Sequence, residues 1–344
     1  LTTPYLPLST NYYKGLITCN NGVVEIWIDG SKMVTTPFTN YTRLTNLVLG
    51  AQDNGISRFK QVLGWNRVLN RTEIDLLFQY PYFNAGYTPV NNELQQIINR
   101  ANAEVFTIPN ATILGHCDTL ITEMKNDGVW NVSDVYFNFA YNDVALSNFA
   151  RINWMNPYGG LGIGIVVNLT YQTNGFKAPG AGVIQYFDTR KNSALTADNY
   201  ILNNAGRLLV MSEISTLSNT SYIDTAGSQE ILVSNGTTPA HKINSTNTLS
   251  SGVNLDGIGL KSIMRDTSTN VRLQNLSTLS ARTQTSTNIP NSNRLLMGSS
   301  GFNSNFNGCI SNYWIGASLT DLQIDNFRTY YNTYLTNIGL TAFA

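Results

Sequence analysis

The sequence predicts an all-β fold of packed sandwiches, and three observations predict it. Charged residues make up only 12% of the 344 residues, about half the usual share. In their place stand 44 Asn, 37 Thr and 26 Ser; Thr suits strands and Asn suits turns, whereas helical surfaces are built from Glu, Lys, Arg and Gln. From Val135 onward, short apolar runs are separated by Asn/Ser/Thr/Gly turns, the pattern of a sandwich or jelly roll. Hydrophobic residues at 42% and aromatics at 11% are enough to build a core and argue against disorder. Lys+Arg and Asp+Glu number 21 each, so no charge excess exists to neutralise phosphates and a nucleic-acid partner is excluded.

The elements follow in order. Val23-Val24-Glu25-Ile26-Trp27-Ile28 is rich in β-formers, and Asp29-Gly30 supplies a two-residue hairpin turn. Residues 47–50 and 59–65 predict two more strands. Residues 70–78 then predict a short amphipathic helix, with Asn70 as cap and Ile74, Leu77 and Phe78 on one face. The same order recurs near residue 300. Leu295-Leu296-Met297-Gly298 answers Leu47-Val48-Leu49-Gly50, and residues 306–314 answer 59–65. Residues 319–327 answer 69–77 at an offset of 250 (319 minus 69), which reads as two copies of one module. Between the copies, residues 84–92 read as a linker, followed by helical patterns over 93–103 and 111–127. In the second of these, Leu114, Cys117, Ile121 and Met124 share a face and Gly128 stops the helix. The clearest later strands fall at 164–167, 183–187, 208–211, 230–233 and 271–273. The expected division is therefore 1–83 for the back part of a first jelly-roll module, 84–130 for a linker with helices, and 131–344 for a second module.

Several residues invite a chemical reading. Glu25 and Asp29 are the nearest approach to the paired carboxylates of a glycoside hydrolase, but their spacing is wrong and Asp29 is accounted for as a turn residue. His116 beside Cys117 and Asp118 suggests a Cys/His nucleophile, yet adjacent helical residues point in different directions. His241 sits in an Ala-His-Lys loop without a partner at recognisable spacing. Gly160, Gly162 and Gly164 precede a β run rather than a helix, so they read as close strand packing and not as a phosphate loop. Asn254-Leu255-Asp256-Gly257 reads as a turn, because no Glu follows at a calcium-ligand spacing. Cys19, Cys117 and Cys309 are odd in number and widely spaced, which argues against a disulfide framework or a zinc site. Asn-x-Ser/Thr at Asn40, Asn70, Asn131, Asn168 and Asn275 follows from composition. Trp154, Tyr158, Tyr186 and Trp314 could stack on sugars, with core or interface packing as the plainer account of each. No catalytic residue, metal ligand or cofactor is expected, and no individual residue is assigned to carbohydrate.

The combination Trp27-Ile28-Asp29-Gly30, Leu49-Gly50 and Val68-Leu69-Asn70-Arg71-Thr72-Glu73-Ile74 resembles the C-terminal half of concanavalin A-like, laminin-G-type jelly rolls. The resemblance covers 20–80 and, more loosely, 150–335, where Gln274-Asn275 stands in place of Asp-Gly and Gln323 in place of Glu. Residues 120–130, with Asp134-Val135-Tyr136 and Asn153-Trp154-Met155-Asn156-Pro157 downstream, resemble the segment that leads into such modules in bacteriophage virion proteins. The resemblance implies a non-enzymatic virion protein, a head fibre, tail fibre or capsid decoration. Its implied partners are other virion structural proteins, further copies of itself (a trimer is favoured) and a host-surface glycan. A carbohydrate-binding module of a bacterial adhesin is the alternative, followed by a polysaccharide-degrading tail spike. The longest apolar run, 160–167, is too short to cross a bilayer, so no membrane insertion is expected. The chain starts at Leu1 with no visible signal peptide, which is expected either of a processed N-terminus or of a piece of a longer protein.

Overall fold

The computed structural model describes strands at 15–20, 23–28 and 31–37 and most of 87–343. Left out within that span are 159–161, 180–182, 193–198, 215–220, 227–228, 234–239, 248, 251–256, 277 and 299–305. The first three strands, β1 (Gly15–Asn20), β2 (Val23–Ile28) and β3 (Ser31–Pro37), form an antiparallel meander. β2 falls where the β-formers place it, and Ile28 pairs with Ser31. Asp29, Gly30 and the elements expected at 47–50, 59–65 and 70–78 lie outside the described residues.

The remainder is an all-β sandwich of two antiparallel sheets with helices added. Helices α1 (Asn92–Ala103) and α2 (Ala111–Asn126) come first, then β4 (Ser133–Asn138). Four three-residue strands follow: β5 (Ile165–Val167), β6 (Thr170–Gln172), β7 (Gly175–Lys177) and β8 (Tyr186–Asp188). Next are β9 (Ala205–Ile214), β10 (Ser221–Ala226), β11 (Gln229–Val233), β12 (Ala240–His241) and β13 (Leu249–Ser250). The chain then runs through β14 (Gly259–Arg265), β15 (Asn270–Asn275), β16 (Thr278–Thr283), β17 (Leu295–Leu296) and β18 (Gly308–Gly316) to helix α3 (Asp321–Asn337). One sheet has the order β13-β12-β11-β10-β17-β8-β5. The other has β16-β15-β14-β9-β18-β7-β6, with β4 also paired to β18.

Side-chain alternation along β4 shows how the layers stack. Phe137 and Phe139 point across to Phe187 of the seven-stranded sheet, with ring centroids 5.1 and 4.9 Å away. Tyr136 and Asn138 point the other way, toward α3: Tyr136 lies edge-on to Phe327 at 6.2 Å, and the Asn138 side-chain amide lies 3.2 Å from Tyr331 Oη. The eight-stranded sheet is therefore a middle layer, and every residue of β18 is buried. Close packing between neighbouring strands of the seven-stranded sheet explains one glycine of the Gly-rich run. A Cβ on Gly164 would lie 2.1 Å from Cζ of Phe187, so that residue is close packing, as expected from sequence.

The helices start and stop by local chemistry. Asn110 caps α2 by accepting from the Ile113 amide at 3.0 Å, and Gly128 ends it with φ +73°. Leu114, Cys117, Ile121 and Met124 are all buried, the face that their spacing predicts. Thr320 and Gln323 form a capping box on α3. That helix runs well past the short one expected near Phe327, because Tyr331, Tyr334 and Leu335 continue its buried stripe. Helix α1 ends in a Schellman pair, Phe106 N to Ala101 O at 2.8 Å and Val105 N to Asn102 O at 3.1 Å. Val105 thus occupies the left-handed position, φ +59°, where glycine is usual and a β-branched residue is strained.

Two arginines tie the layers together. Arg265 is fully buried and donates Nε and Nη2 to Ile243 O (2.9 and 2.8 Å) and Nη1 to Gln284 O (2.7 Å), pinning the 243–247 and 284 segments. Arg272 makes a bidentate pair with Asp266, both contacts 2.7 Å, and reaches Ser318, Leu319 O and Asp321 at the start of α3. Burial alone raises the Asp266 carboxyl, but hydrogen bonds from Arg272 and Ser318 outweigh it and hold it below the usual carboxylate range.

Two predictions follow from these contacts. Val105→Gly should raise stability by about 1 kcal/mol, the relief of left-handed strain less the entropy of glycine, read as a higher urea midpoint. Because the folded Asp266 carboxyl lies below its unfolded value, its contribution is complete above about pH 4 and disappears as pH falls through the folded value. Asp266→Asn should therefore cost about 1 kcal/mol at pH 7, allowing for partial exposure, and the difference should shrink steadily as pH falls below the ordinary carboxylate range in denaturant melts across pH.

Candidate functional site

A groove of about 350 Å³ runs between α2 and α3. Each helix contributes a stripe at helical spacing: His116, Thr119, Leu120, Glu123 and Asp127 from α2, and Asn326, Thr329, Tyr330, Thr333, Tyr334 and Asn337 from α3. Leu120 and Tyr334 are buried at its base. Tyr334 Oη donates to Ala140 O at 2.8 Å, which fixes the base to the middle sheet.

The groove is rich in acceptors. Thr119, Thr329 and Thr333 each donate their hydroxyl proton to the carbonyl four residues back, Gly115 (3.0 Å), Asp325 (2.9 Å) and Thr329 (3.0 Å). Their remaining lone pairs can only accept. Glu123 and Asp127 add two carboxylates without an ion pair among the described residues, and Asp127 Oδ1 takes a bond from Asn326 Nδ2 at 3.1 Å. Donors are present as well, on His116, Asn326, Asn337 and Tyr330, and the Tyr330 hydroxyl is buried without a hydrogen-bond partner. Burial, and then the Asp127 and Glu123 charges, raise its pKa, so it keeps its proton. Such a surface matches a neutral ligand carrying several hydroxyl donors.

The residues singled out from sequence scatter. His116 lines the groove, whereas Cys117 points into the core with Sγ 3.9 Å from Tyr334 Oη. Burial pushes the Cys117 thiol up to about 12, the opposite of what a nucleophile needs. Asp118, the third member of that run, is buried as a staple: its carboxylate accepts from Tyr87 Oη (2.8 Å), Val90 N (2.6 Å) and Asn91 N (2.9 Å), holding the 87–91 segment against α2. His241 belongs to β12 rather than a loop. Trp154 and Trp314 are core residues, Trp154 edge-on to Tyr136 at 5.2 Å and Trp314 Nε1 donating to Ser133 Oγ at 2.6 Å. Tyr158 is half exposed. The side chains of Glu25, Asp29, Asn254 and Asp256 lie outside the described residues. No group of three His, Cys, Asp or Glu among the described residues could hold a metal ion, and no described helix is long and apolar enough to cross a membrane. Sequence reasoning missed Tyr330, Glu123 and Asp127. The signal was present in the polar stripes of two helices, but the pairing of those helices was not.

No family model and no curated protein matches the chain. Among solved structures, a mutant Trypanosoma rangeli sialidase displaying trans-sialidase activity overlaps 66% of this chain and 40% of its own, at 13% identity and TM-score 0.42. Domain 4 of a GH43 extracellular arabinanase from Geobacillus stearothermophilus, in complex with arabinotriose, overlaps 57% of this chain and 98% of its own, at 12% identity and TM-score 0.39. The binding domain of botulinum neurotoxin serotype D overlaps 59% and 52%, at 13% identity and TM-score 0.41. This chain therefore spans less than half of the sialidase, and overlaps this loose assign neither family nor activity.

The unpartnered Tyr330 hydroxyl gives a direct check on the groove. Tyr330→Phe should leave the thermal midpoint unchanged or slightly raised, because no hydrogen bond is lost. A fall in the midpoint would mean that the hydroxyl has a structural partner.

Proposed function

We propose that this chain is a non-enzymatic structural protein of a bacteriophage particle, a head fibre, tail fibre or capsid decoration, and that it binds a host-surface glycan in the groove between α2 and α3. The observation that carries the glycan part is the groove's inventory: threonine acceptors on both walls, the Glu123 and Asp127 carboxylates on the α2 side, and the unpartnered Tyr330 hydroxyl as a donor, suited to a sugar rich in hydroxyls. The particle part rests on the sequence resemblance and on a surface kept polar by Asn, Thr and Ser rather than by charge. In this reading the particle partners are other virion structural proteins. The protein assembles as a homo-oligomer, a trimer, so that weak single-site binding becomes avid through many copies. The jelly-roll modules divide at 83 and 130, with the first completed by another segment or chain.

Two measurements test this. Mass spectrometry of purified phage particles should recover this chain at fixed stoichiometry with capsid or tail proteins; recovery only from bacterial envelopes would replace the particle with the adhesin reading. Host-glycan fragments should bind the purified chain with affinity reduced roughly tenfold or more by Glu123→Gln combined with Tyr330→Phe, the loss expected from two sugar hydrogen bonds. Unchanged binding would remove the groove from the proposal.

A further inference from the structure

We propose that Arg294 is the anion-holding residue of a second, separate binding site, one that takes a small ligand bearing a single carboxylate. Arg294 is fully buried, and its Nε, Nη1 and Nη2 all lack a hydrogen-bond partner. It makes no ion pair among the described residues. Its Cζ lies 4.7 Å from the centroid of the Tyr200 ring, which covers one face of the guanidinium. Tyr200 is itself held by its hydroxyl, which donates to Asn244 Oδ1 at 2.8 Å.

The other arginines show what an occupied site looks like in this fold. Arg265 spends its fork on the carbonyls of Ile243 and Gln284, and Arg272 on the Asp266 carboxylate. Arg294 has no such acceptor. A guanidinium does not lose its proton, so burial leaves a full positive charge that requires a counter-ion. The neighbouring carboxylate, Asp188, is committed elsewhere: Oδ1 accepts from the Arg190 amide at 2.6 Å and Oδ2 from Asn293 Nδ2 at 3.2 Å, on the exposed side of the segment.

A second group shares the site. Residues 291–294 run beside 189–192, with Arg294 N to Lys191 O and Thr189 N to Arg294 O both at 3.0 Å. Along this extended stretch Asn291 and Asn293 are exposed, while Ser292 and Arg294 alternate with them on the inner side. Ser292 Oγ is buried and also lacks a partner. A guanidinium fork offers paired N–H donors to a planar, two-oxygen group, the pattern of bidentate carboxylate recognition, and Ser292, on the same side of the stretch, adds an unpartnered hydroxyl. One cation is balanced by a monoanion, which favours a carboxylate over a dianionic phosphate. Among side-chain contacts, the outer end of the segment is held by Asn192 Nδ2 to Asn291 Oδ1 at 3.1 Å, so a small ligand enters by displacing exposed residues 291–293.

The test titrates the purified chain with sodium glucuronate, glucose and sodium chloride at matched ionic strength, following thermal midpoint and binding heat. Glucuronate should raise the midpoint saturably and glucose should not. Arg294→Met should melt at least as high as wild type without ligand and bind glucuronate roughly 30-fold more weakly or worse; Ser292→Ala should weaken it severalfold. Should Arg294→Met fail to fold, Arg294→Lys, which keeps the charge without the fork, should lose about tenfold. The proposal fails if no carboxylate gives a saturable shift, if the Arg294 variants respond as wild type does, or if chloride alone reproduces the saturation. Host-glycan binding at the α2–α3 groove should be unaffected by these variants, so each reading can fail without the other.

Discussion

Burial of the central strands of the middle sheet on both faces is the constraint on which the other features depend. A strand covered on one side can alternate apolar and polar residues, but β18 cannot, because both faces meet a packed layer. Its polar members then need partners inside, which Ser311 finds while the Asn312 amide goes without. Ser311 O takes the Tyr331 hydroxyl at 2.8 Å, and Ser311 Oγ donates to Asn174 O at 2.7 Å. Tyr331 and Tyr334 of α3 serve both needs, packing their rings in the core and donating their hydroxyls to the carbonyls of Ser311 and Ala140. This is why α3 is long and aromatic rather than short and aliphatic.

Much of the fold was legible in the sequence where one local rule dominates. Asn110 and Gly128 bracket α2, the Leu114–Met124 spacing marks its buried face, and β18 overlaps the aromatic run at 306–314, running two residues past it. The end of α3 was not legible, because Thr329, Tyr330, Tyr331, Thr333 and Tyr334 have intrinsic preferences closer to strand than helix. Burial against the middle sheet overrides that preference. Likewise the helical pattern at 93–103 and 111–127 announced helices without announcing what they cover.

The candidate site was less legible than the fold. Its two walls are about 200 residues apart in the chain (326 minus 116 is 210), and each is made of Thr, Asn and acidic residues that this composition renders commonplace. Only packing brings them face to face. Arg294 was invisible for a related reason: a sequence shows that an arginine exists, not that its neighbours all point elsewhere. The charged groups most informative about chemistry here are those the core has enclosed, since each enclosed charge demands a partner and the demand is visible only in three dimensions.

The position of β18 in the chain also shapes how the protein is made. Its neighbours in the sheet, β4, β7 and β9, all emerge from the ribosome before it, the first by some 170 residues (308 minus 138). Until β18 arrives, β4 and β9 have no shared strand between them, and the aromatic residues of β4 and the aliphatic residues of β9 stand unpaired. Closure must then be concerted and dominated by contacts distant in sequence, the condition under which folding is slow and nascent chains stick to one another. A sequence rich in Asn and Thr with few charges gives such a chain little electrostatic repulsion during that interval.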